Sequence, residues 1–518
     1  MPTLEHNDNG KRGMKTVVIS NFSGGMVGDL HDTRPNVCRT CQHFDVFTNP
    51  HSLIPHYTAE VGDASANTQK IKNYAFDGTT LFGYGLETSA GTNSYIYSRT
   101  TFTGSTWTAV KNVQREQGDA YYPFFTYYRK VGKLFGVGGG RYIWSYAPGT
   151  DTLANEAQDL GAASYTTVSN GVVHSKDDCL YFGYNNKIAK NNNDTWTPVA
   201  LTLPSQYVIT SICEYGDFLA IACRHQGTGN SRVFLWDRDE TTTTLSGSVD
   251  WEQGDIYSLE ELEGYLVGVS FEGFTGTANV GQSRTVFRHF SGTGGAVQFA
   301  EFTGFGQTPT IQASLYKGKA RHRILFPAVI NIGGAAGNQV AGKKGIWAIT
   351  KTSSGFAVVQ EYSYLNNTPD NGTMYGILQI GDILFASYTD NSTHYTDKTD
   401  DAVVYTQTSV YETVANPEME AADRIRLKNL HAIAVTARRL VSGEQIVVKY
   451  KVDGGTFSSA VITKTSSSPD TDLIAYEAIV NVAGTAKKGR EFEFRIESTG
   501  GAEVTSLAYQ FEVLSSLI

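Results

Sequence analysis

Residues 216–223 read "GDFLAIAC", and residues 381–388 read "GDILFASY". Each opens on Gly-Asp, a pair suited to a tight turn, and runs on as an apolar strand ending in small residues. The same phrase appears as "DGTTLFGYG" (77–85), "GKLFGVGGG" (132–140), "DDCLYFGY" (177–184), "EGYLVGVS" (263–270) and "GKARHRILFPAV" (318–329). A second strand follows each copy, usually with aromatics at alternate positions. These are "SYIYSR" (94–99), "YIWSYA" (142–147), "KIAKNN" (187–192), "RVFLWD" (232–237), "TVFRHF" (285–290), "GIWAIT" (345–350) and "STHYTD" (392–397), of which the third and last are degraded. Many units then close on a further β-like segment, such as "GSTWTAVK" (104–111), "NDTWTPVA" (193–200) or "SSGFAVVQEY" (353–362).

The turns fall near 78, 132, 178, 216, 264, 318 and 381. Their mean spacing of about 50 residues is that of four-stranded propeller blades. One small sheet cannot dry both of its faces, but sheets packed radially can, and a closed ring leaves only short edges. Gly in "FGYG", "FGVG" and "LVGVS" suits a crowded inner rim. A helical solenoid is the competing repeat fold, and period-two alternation bounded by Gly, Asn and Asp argues against it. Tandem β-sandwiches are the stronger rival. The expectation is an all-β chain with a propeller of about seven blades over residues 61–410, six or eight being the alternatives.

Composition agrees with an all-β reading. The 518 residues include 53 Gly, 29 Tyr and 26 Phe against 5 Met, and only 18% are charged, a mixture that favours strands and turns. A net charge of −9 is opposite in sign to the basic excess of a general nucleic-acid binder. Five Cys, odd in number and unevenly placed, make no disulfide framework and point to folding in a reducing compartment. The first 25 residues have no apolar core of signal-peptide length, and no run reaches the ~18 apolar residues of a membrane helix.

The two ends read differently from the middle. In "QIVVKYKVDGGTFSSAVITK" (445–464), Val448, Tyr450 and Val452 face one way and Lys449 and Lys451 the other, and Asp453-Gly454 signals a hairpin. In "REFEFRIE" (490–497), Phe492, Phe494 and Ile496 oppose Glu491, Glu493, Arg495 and Glu497. Residues 431–518 are therefore expected to form an antiparallel β-sandwich with one wet face per sheet. The charged joint "ANPEMEAADRIRLKN" (415–429) makes residues 411–430 a linker and the place for the one expected helix. Residues 1–60 hold His6, His31, His43, His51 and His56 but little periodic pattern beyond "TVVIS". They read as an extended arm that spans a neighbour's surface, or as a disordered leader up to Met14.

No motif in the chain carries catalytic chemistry. Cys38 and Cys41 have metal-ligand spacing with His31 and His43 flanking them, but a structural zinc needs a second ligand pair, and two buried residues is the simpler reading. "FGVGGGRY" (135–142) lacks the glycine order and the following helix of a phosphate loop and reads as a hairpin. The Trp107 and Trp196 segments share only the end of an Asp-box: Phe102 and Asn191 stand where the Asp belongs. Asp237, Asp239 and Glu240, and Glu260, Glu261 and Glu263, are acids that would need to face each other across a cleft to hydrolyse a glycoside. Residues 389–401 are Asp-rich without calcium-loop order, and the single Trp236-Asp237 dipeptide does not make a WD40 protein. "YYPFFTYY", with Tyr121, Tyr122, Phe124, Phe125, Tyr127 and Tyr128, is the best aromatic sugar platform, with core packing the favoured alternative.

The layout resembles β-propeller structural proteins of tailed-phage virions, including podovirus tail nozzle and tail-tube-extension proteins. "NFSGGMVGDL" followed by "CQHFDVFTNPHSLIPH" (41–56) is similar to the family's Gly-Gly arm and "(N/H)-F-D" segment, with "LIPH" where the family has "RPG". "VVKYKVDGGTF" and "REFEFRIESTGGAEVTSLAYQFEVL" are similar to the sandwich that closes such proteins. The resemblance implies a virion protein assembled in host cytoplasm. It implies a homo-oligomeric tail ring, six-fold for a nozzle, joining the tail tube or adaptor to the distal tip and conducting DNA. No enzyme activity, cofactor or metal is implied. An acidic chain suits a channel wall that must not trap phosphates. A carbohydrate- or receptor-binding propeller of a tail tip is the alternative, and a propeller glycosidase a lesser one.

Overall fold

The computed structural model describes residues 14–29, 31–56, 61–62, 69–87, 94–100, 107–113, 124–137, 141–161, 168–242, 244–272, 284–303, 316–318, 323–328, 345–353, 355–362, 373–380, 383–390, 393–398, 408–466, 475–478 and 488–514. The chain is all-β, built of many small antiparallel sheets. Among the described residues the only α-helix is the single turn Ala421–Arg424, and no helix is long and apolar enough to cross a membrane. The chain divides into two compact units. One gathers residues 1–59, 347–363 and 400–518; the other holds residues 60–346 and 364–399.

The second unit follows the repeat. Five four-stranded sheets succeed one another along the chain, running Gln69–Phe76 to Thr108–Val113, Phe125–Tyr128 to Thr152–Asp159, Val168–His174 to Thr195–Thr202, Tyr207–Tyr215 to Gly247–Gln253 and Asp255–Leu262 to Val297–Thr303. The hairpin Tyr316–Gly318 with Arg323–Ala328 comes next, and then Thr373–Ile380, Ile383–Asp390 and Thr393–Lys398. The fourth strand of this last sheet is Val61–Gly62, from before the first sheet, paired antiparallel with Thr396 and Asp397. No sequence pattern marks it, because a two-residue strand has no periodicity to read.

The recurring turn has a backbone reason. Gly78, Gly132, Asp178, Gly216, Glu263 and Gly264 all have positive φ, the conformation that a two-residue hairpin needs and that Gly, Asn and Asp tolerate best. The turn read at 381 lies outside the described residues. The apolar strand after each turn is the second of its sheet, and the aromatic segment is the third.

Along the first five sheets, each is dried by its successor. Tyr181 and Ile188 of the third sheet pack with Ile209, Ile212, Leu219 and Trp236 of the fourth. Phe124 and Phe135 pack with Leu180 and Phe182 in the same way, and Ala220 and Trp251 with Ile256 and Leu266. Burying one such side chain contributes roughly 1.5–3 kcal/mol. The first sheet packs at its other side against the last: Ile71, Tyr74 and Trp107 share a cluster with Phe385, and Thr373–Ile380 lies along Gln69–Phe76. Crowding accounts for the small residues. A Cβ on Gly268 would stand 2.6 Å from Trp251 Cζ2, and one on Gly376 would stand 3.0 Å from the carbonyl oxygen of Lys72.

The first unit interleaves the two ends of the chain. Met14–Ile19 pairs with Val504–Val513, which pairs with Lys428–Ala437 and then Ala475–Ala478. Within the same unit, Gly355–Tyr362, Cys38–Gln42, Ser409–Thr413, Phe492–Thr499, Gln445–Val452 and Ile462–Thr465 line up in that order. Cys38–Gln42 runs parallel to Gly355–Tyr362 and antiparallel to Ser409–Thr413. Within the N-terminal segment, expected to be an extended arm, Met14–Ile19 and Cys38–Gln42 pair with strands hundreds of residues away, and Phe44–Asp45 pairs locally with Ile54–Pro55. Phe494 and Tyr509, from the two sets of strands, meet with ring centroids 4.7 Å apart. The face expected to be wet is partly covered. Glu493 is buried and paired with Lys451 at 2.8 Å, and Phe457 lies beneath the Arg495 guanidinium at 4.1 Å.

Candidate functional site

Cys38 and Cys41 both point inward. Residues three apart on a regular strand face opposite ways, but a register slip between Cys38 and Thr40 turns both thiols to the buried side. The Cys38 thiol donates to the Gly25 carbonyl at 3.4 Å, and Tyr411, opposite Cys41, is packed by the edge of Phe22. Burial pushes the Cys41 thiol well above its usual range, so the thiolate that a metal needs is disfavoured. His43 is buried with φ of 60°, and burial holds its pKa down to about 4. His31 is largely exposed and stands 3.6 Å from Glu491. Among the described residues no three His, Cys, Asp or Glu side chains are placed to hold a metal ion. Sequence reading missed a partner nearby: buried His56 stands 3.8 Å from buried Glu361.

The charged joint at 415–429 carries the helical turn Ala421–Arg424 and closes as a clasp around Lys428. The Lys428 side chain is fully buried, and its ammonium donates to the carbonyls of Asp423, Arg424, Arg426 and Arg490 at 2.6–3.1 Å. Three of these carbonyls lie in or just after the helical turn, and of them that of Asp423 also accepts the Arg426 N–H. Burial pulls the Lys428 ammonium down to about 8. Asn416 completes the clasp, donating to Arg424 and Arg490 carbonyls and accepting from the Phe492 N–H. Lys15 of the first strand reaches Asp423 at 2.5 Å and Glu420 at 2.9 Å.

The acids and aromatics singled out by sequence have structural partners. Asp239 accepts from the N–H and hydroxyl of Thr241, Glu240 pairs with Lys190, and Glu261 accepts from the Gly264 N–H. Arg238, beside the Trp-Asp dipeptide, bonds Asp177 of the preceding sheet at 3.2 Å, and Asp177 also accepts from Tyr181 at 2.6 Å. Phe124, Phe125 and Tyr128 are core residues, while Tyr121 and Tyr122 lie outside the described residues. Trp107 stacks on Tyr74, and Trp196 packs edge-on against Phe135 and Phe182.

An open cleft of about 480 Å³ lies at one end of the fourth sheet. Strand register builds it. Tyr207 is paired with His225, Cys223 with Arg232, and Arg232 with Asp250. Because His225 and Cys223 are two apart on one strand, Tyr207 with His225 and Arg232 with Asp250 occupy two neighbouring cross-strand rows on one face. Arg232 holds Asp250 Oδ1 with Nε at 2.7 Å and Nη2 at 2.6 Å, and its guanidinium lies 6.0 Å from the Tyr207 ring centre. His225 Nδ1 accepts the N–H groups of Gly227 and Thr228, both at 3.1 Å, which leaves Nε2 as the protonated nitrogen of the neutral ring. Asn230 and Thr228 complete the rim.

No protein-family model and no curated protein matches the chain.

Proposed function

We propose that this chain is a non-enzymatic structural protein of a tailed-phage virion, a ring-forming, nozzle-like tail component that joins the tail tube or adaptor to the distal tip and conducts DNA. On this reading the second unit is a β-propeller: five sheets, one hairpin and the final sheet count as seven blades, and Val61–Gly62 latches the last blade to the start of the ring. The first unit is a β-sandwich that includes the N-terminal segment.

The observation that carries the proposal is that the two stretches bearing the phage likeness belong to one module. Leu53, in the front stretch, exchanges backbone hydrogen bonds with Val504, in the back stretch, and Met14–Ile19 pairs along the last strand. Met14–Ile19 is also the outer strand of its sheet, with Val18 half exposed. An edge of that kind is a ready template for a neighbouring subunit. Sedimentation velocity and negative-stain microscopy of the purified chain test the proposal. The expected result is a closed ring, and the protein is expected among the constituents of purified particles. A monomer at micromolar concentration that binds no other virion protein overturns it.

A further inference from the structure

The cleft on the fourth sheet has the chemistry of a sugar site. Its volume of about 480 Å³ is within the ~300–1,000 Å³ of small-ligand clefts. A pyranose has an apolar C–H face and a rim of hydroxyls that each donate and accept. The Tyr207 ring offers a partner for the first. The second needs donors and acceptors side by side: the Arg232 guanidinium, the Asp250 carboxylate and His225 Nε2–H line the same cleft as that ring, on neighbouring rows of one face. Asp250 spends only Oδ1 on Arg232, and its side chain is 75% exposed.

The charge balance selects among ligands. Among the described lining residues Arg232 is the one cation, and Asp250 neutralises it at 2.6 Å. A phosphate or carboxylate would have to displace Asp250 and then sit against its charge. A neutral ligand meets no such penalty. We propose that this cleft binds a neutral pyranose unit of a glycan, with the ring against Tyr207 and hydroxyls bonded to Arg232, Asp250 and His225. The assignment is independent of the virion proposal, since a monomer would bind through the same cleft.

Saturation-transfer difference NMR on the full chain tests it, with neutral oligomers of glucose, mannose, galactose and N-acetylglucosamine, and oligogalacturonate as the anionic arm. At least one neutral oligomer is expected to bind with a Kd of about a millimolar or tighter. Asp250→Ala and Tyr207→Ala should each weaken it by about tenfold or more. Because Asp250 is exposed, its variant should keep the wild-type melting temperature, which separates lost binding from lost fold. Absence of transfer from every neutral oligomer at ~10 mM overturns the assignment. So does wild-type affinity in the Asp250→Ala protein, or a preference for oligogalacturonate.

Discussion

Gly376 is the position at which the packing of the last sheet on the first can be tested most directly. It sits where Thr373–Ile380 passes Gln69–Phe76, and a Cβ there would lie 3.0 Å from Lys72 O and 3.1 Å from Asn73 Cα. Both neighbours are backbone, so relief requires the two strands to part by about 0.5 Å to reach ordinary contact. Gly376→Val adds two further methyl groups to that gap. Overpacking of this kind destabilises by roughly 1–3 kcal/mol. Removing a glycine from the unfolded chain returns about 0.4–1 kcal/mol. The expected net loss is about 1–2 kcal/mol. Gly247→Val is the control, because Gly247 is also in a strand and its Cβ would meet only Leu235 Cδ1 at 3.9 Å. Urea unfolding followed by tryptophan emission is the assay. Trp107, Trp144, Trp196, Trp236 and Trp251 all lie in the second unit, so the signal reports mainly on it. If the Gly376 variant unfolds within about 0.5 kcal/mol of the Gly247 variant, the spread expected of unstrained sites, the close approach of the two sheets is refuted.

Three further outcomes are expected. His43 has a folded-state pKa of about 4 against an ordinary 6.5, so the unfolded chain binds the extra proton first and stability falls as pH drops from 6.5 to 4. The loss amounts to about 3 kcal/mol over that window; His43→Asn, which tolerates the left-handed backbone, should flatten it, and an unchanged pH profile in urea unfolding would count against the burial argument. Lys428→Met removes a buried ammonium that serves four carbonyls, of which those of Asp423, Arg424 and Arg490 keep a second donor in the Arg426 N–H or the Asn416 amide, so a loss of about 1–3 kcal/mol in the first unit is expected, measured as loss of amide protection by hydrogen exchange over residues 415–429. All five cysteines are buried thiols outside any disulfide, so the native protein should leave Ellman's reagent uncoloured, whereas denaturant should release all five thiols. A fast-reacting thiol in the native state would contradict the packing around Cys38 and Cys41.

The repeat was legible because its signals are local. Positive φ at Gly78, Gly132, Gly216 and Gly264 follows from residue type at the turn, and alternation along "SYIYSR" or "YIWSYA" marks a strand wherever it sits. The cleft on the fourth sheet was not legible. Tyr207, His225, Arg232 and Asp250 are scattered over more than forty positions, and only strand register brings them onto one face. Cys38 and Cys41 read from sequence as two buried residues, and both are buried, but the one-residue slip that turns both inward is announced by no pattern.

By itself the sequence determined the all-β class, the tandem order of the small sheets and the apolar face of the clearly alternating strands. These depend on turn chemistry and on period-two alternation within a few residues. Tertiary structure alone decided that Val61–Gly62 completes a sheet begun more than three hundred residues later, and that Met14–Ile19 lies against Val504–Val513. It also made the charged joint a clasp around Lys428. Backbone N–H and C=O groups are the same in every residue, so which distant strand satisfies them is settled by the packing of the whole chain and leaves no mark on composition.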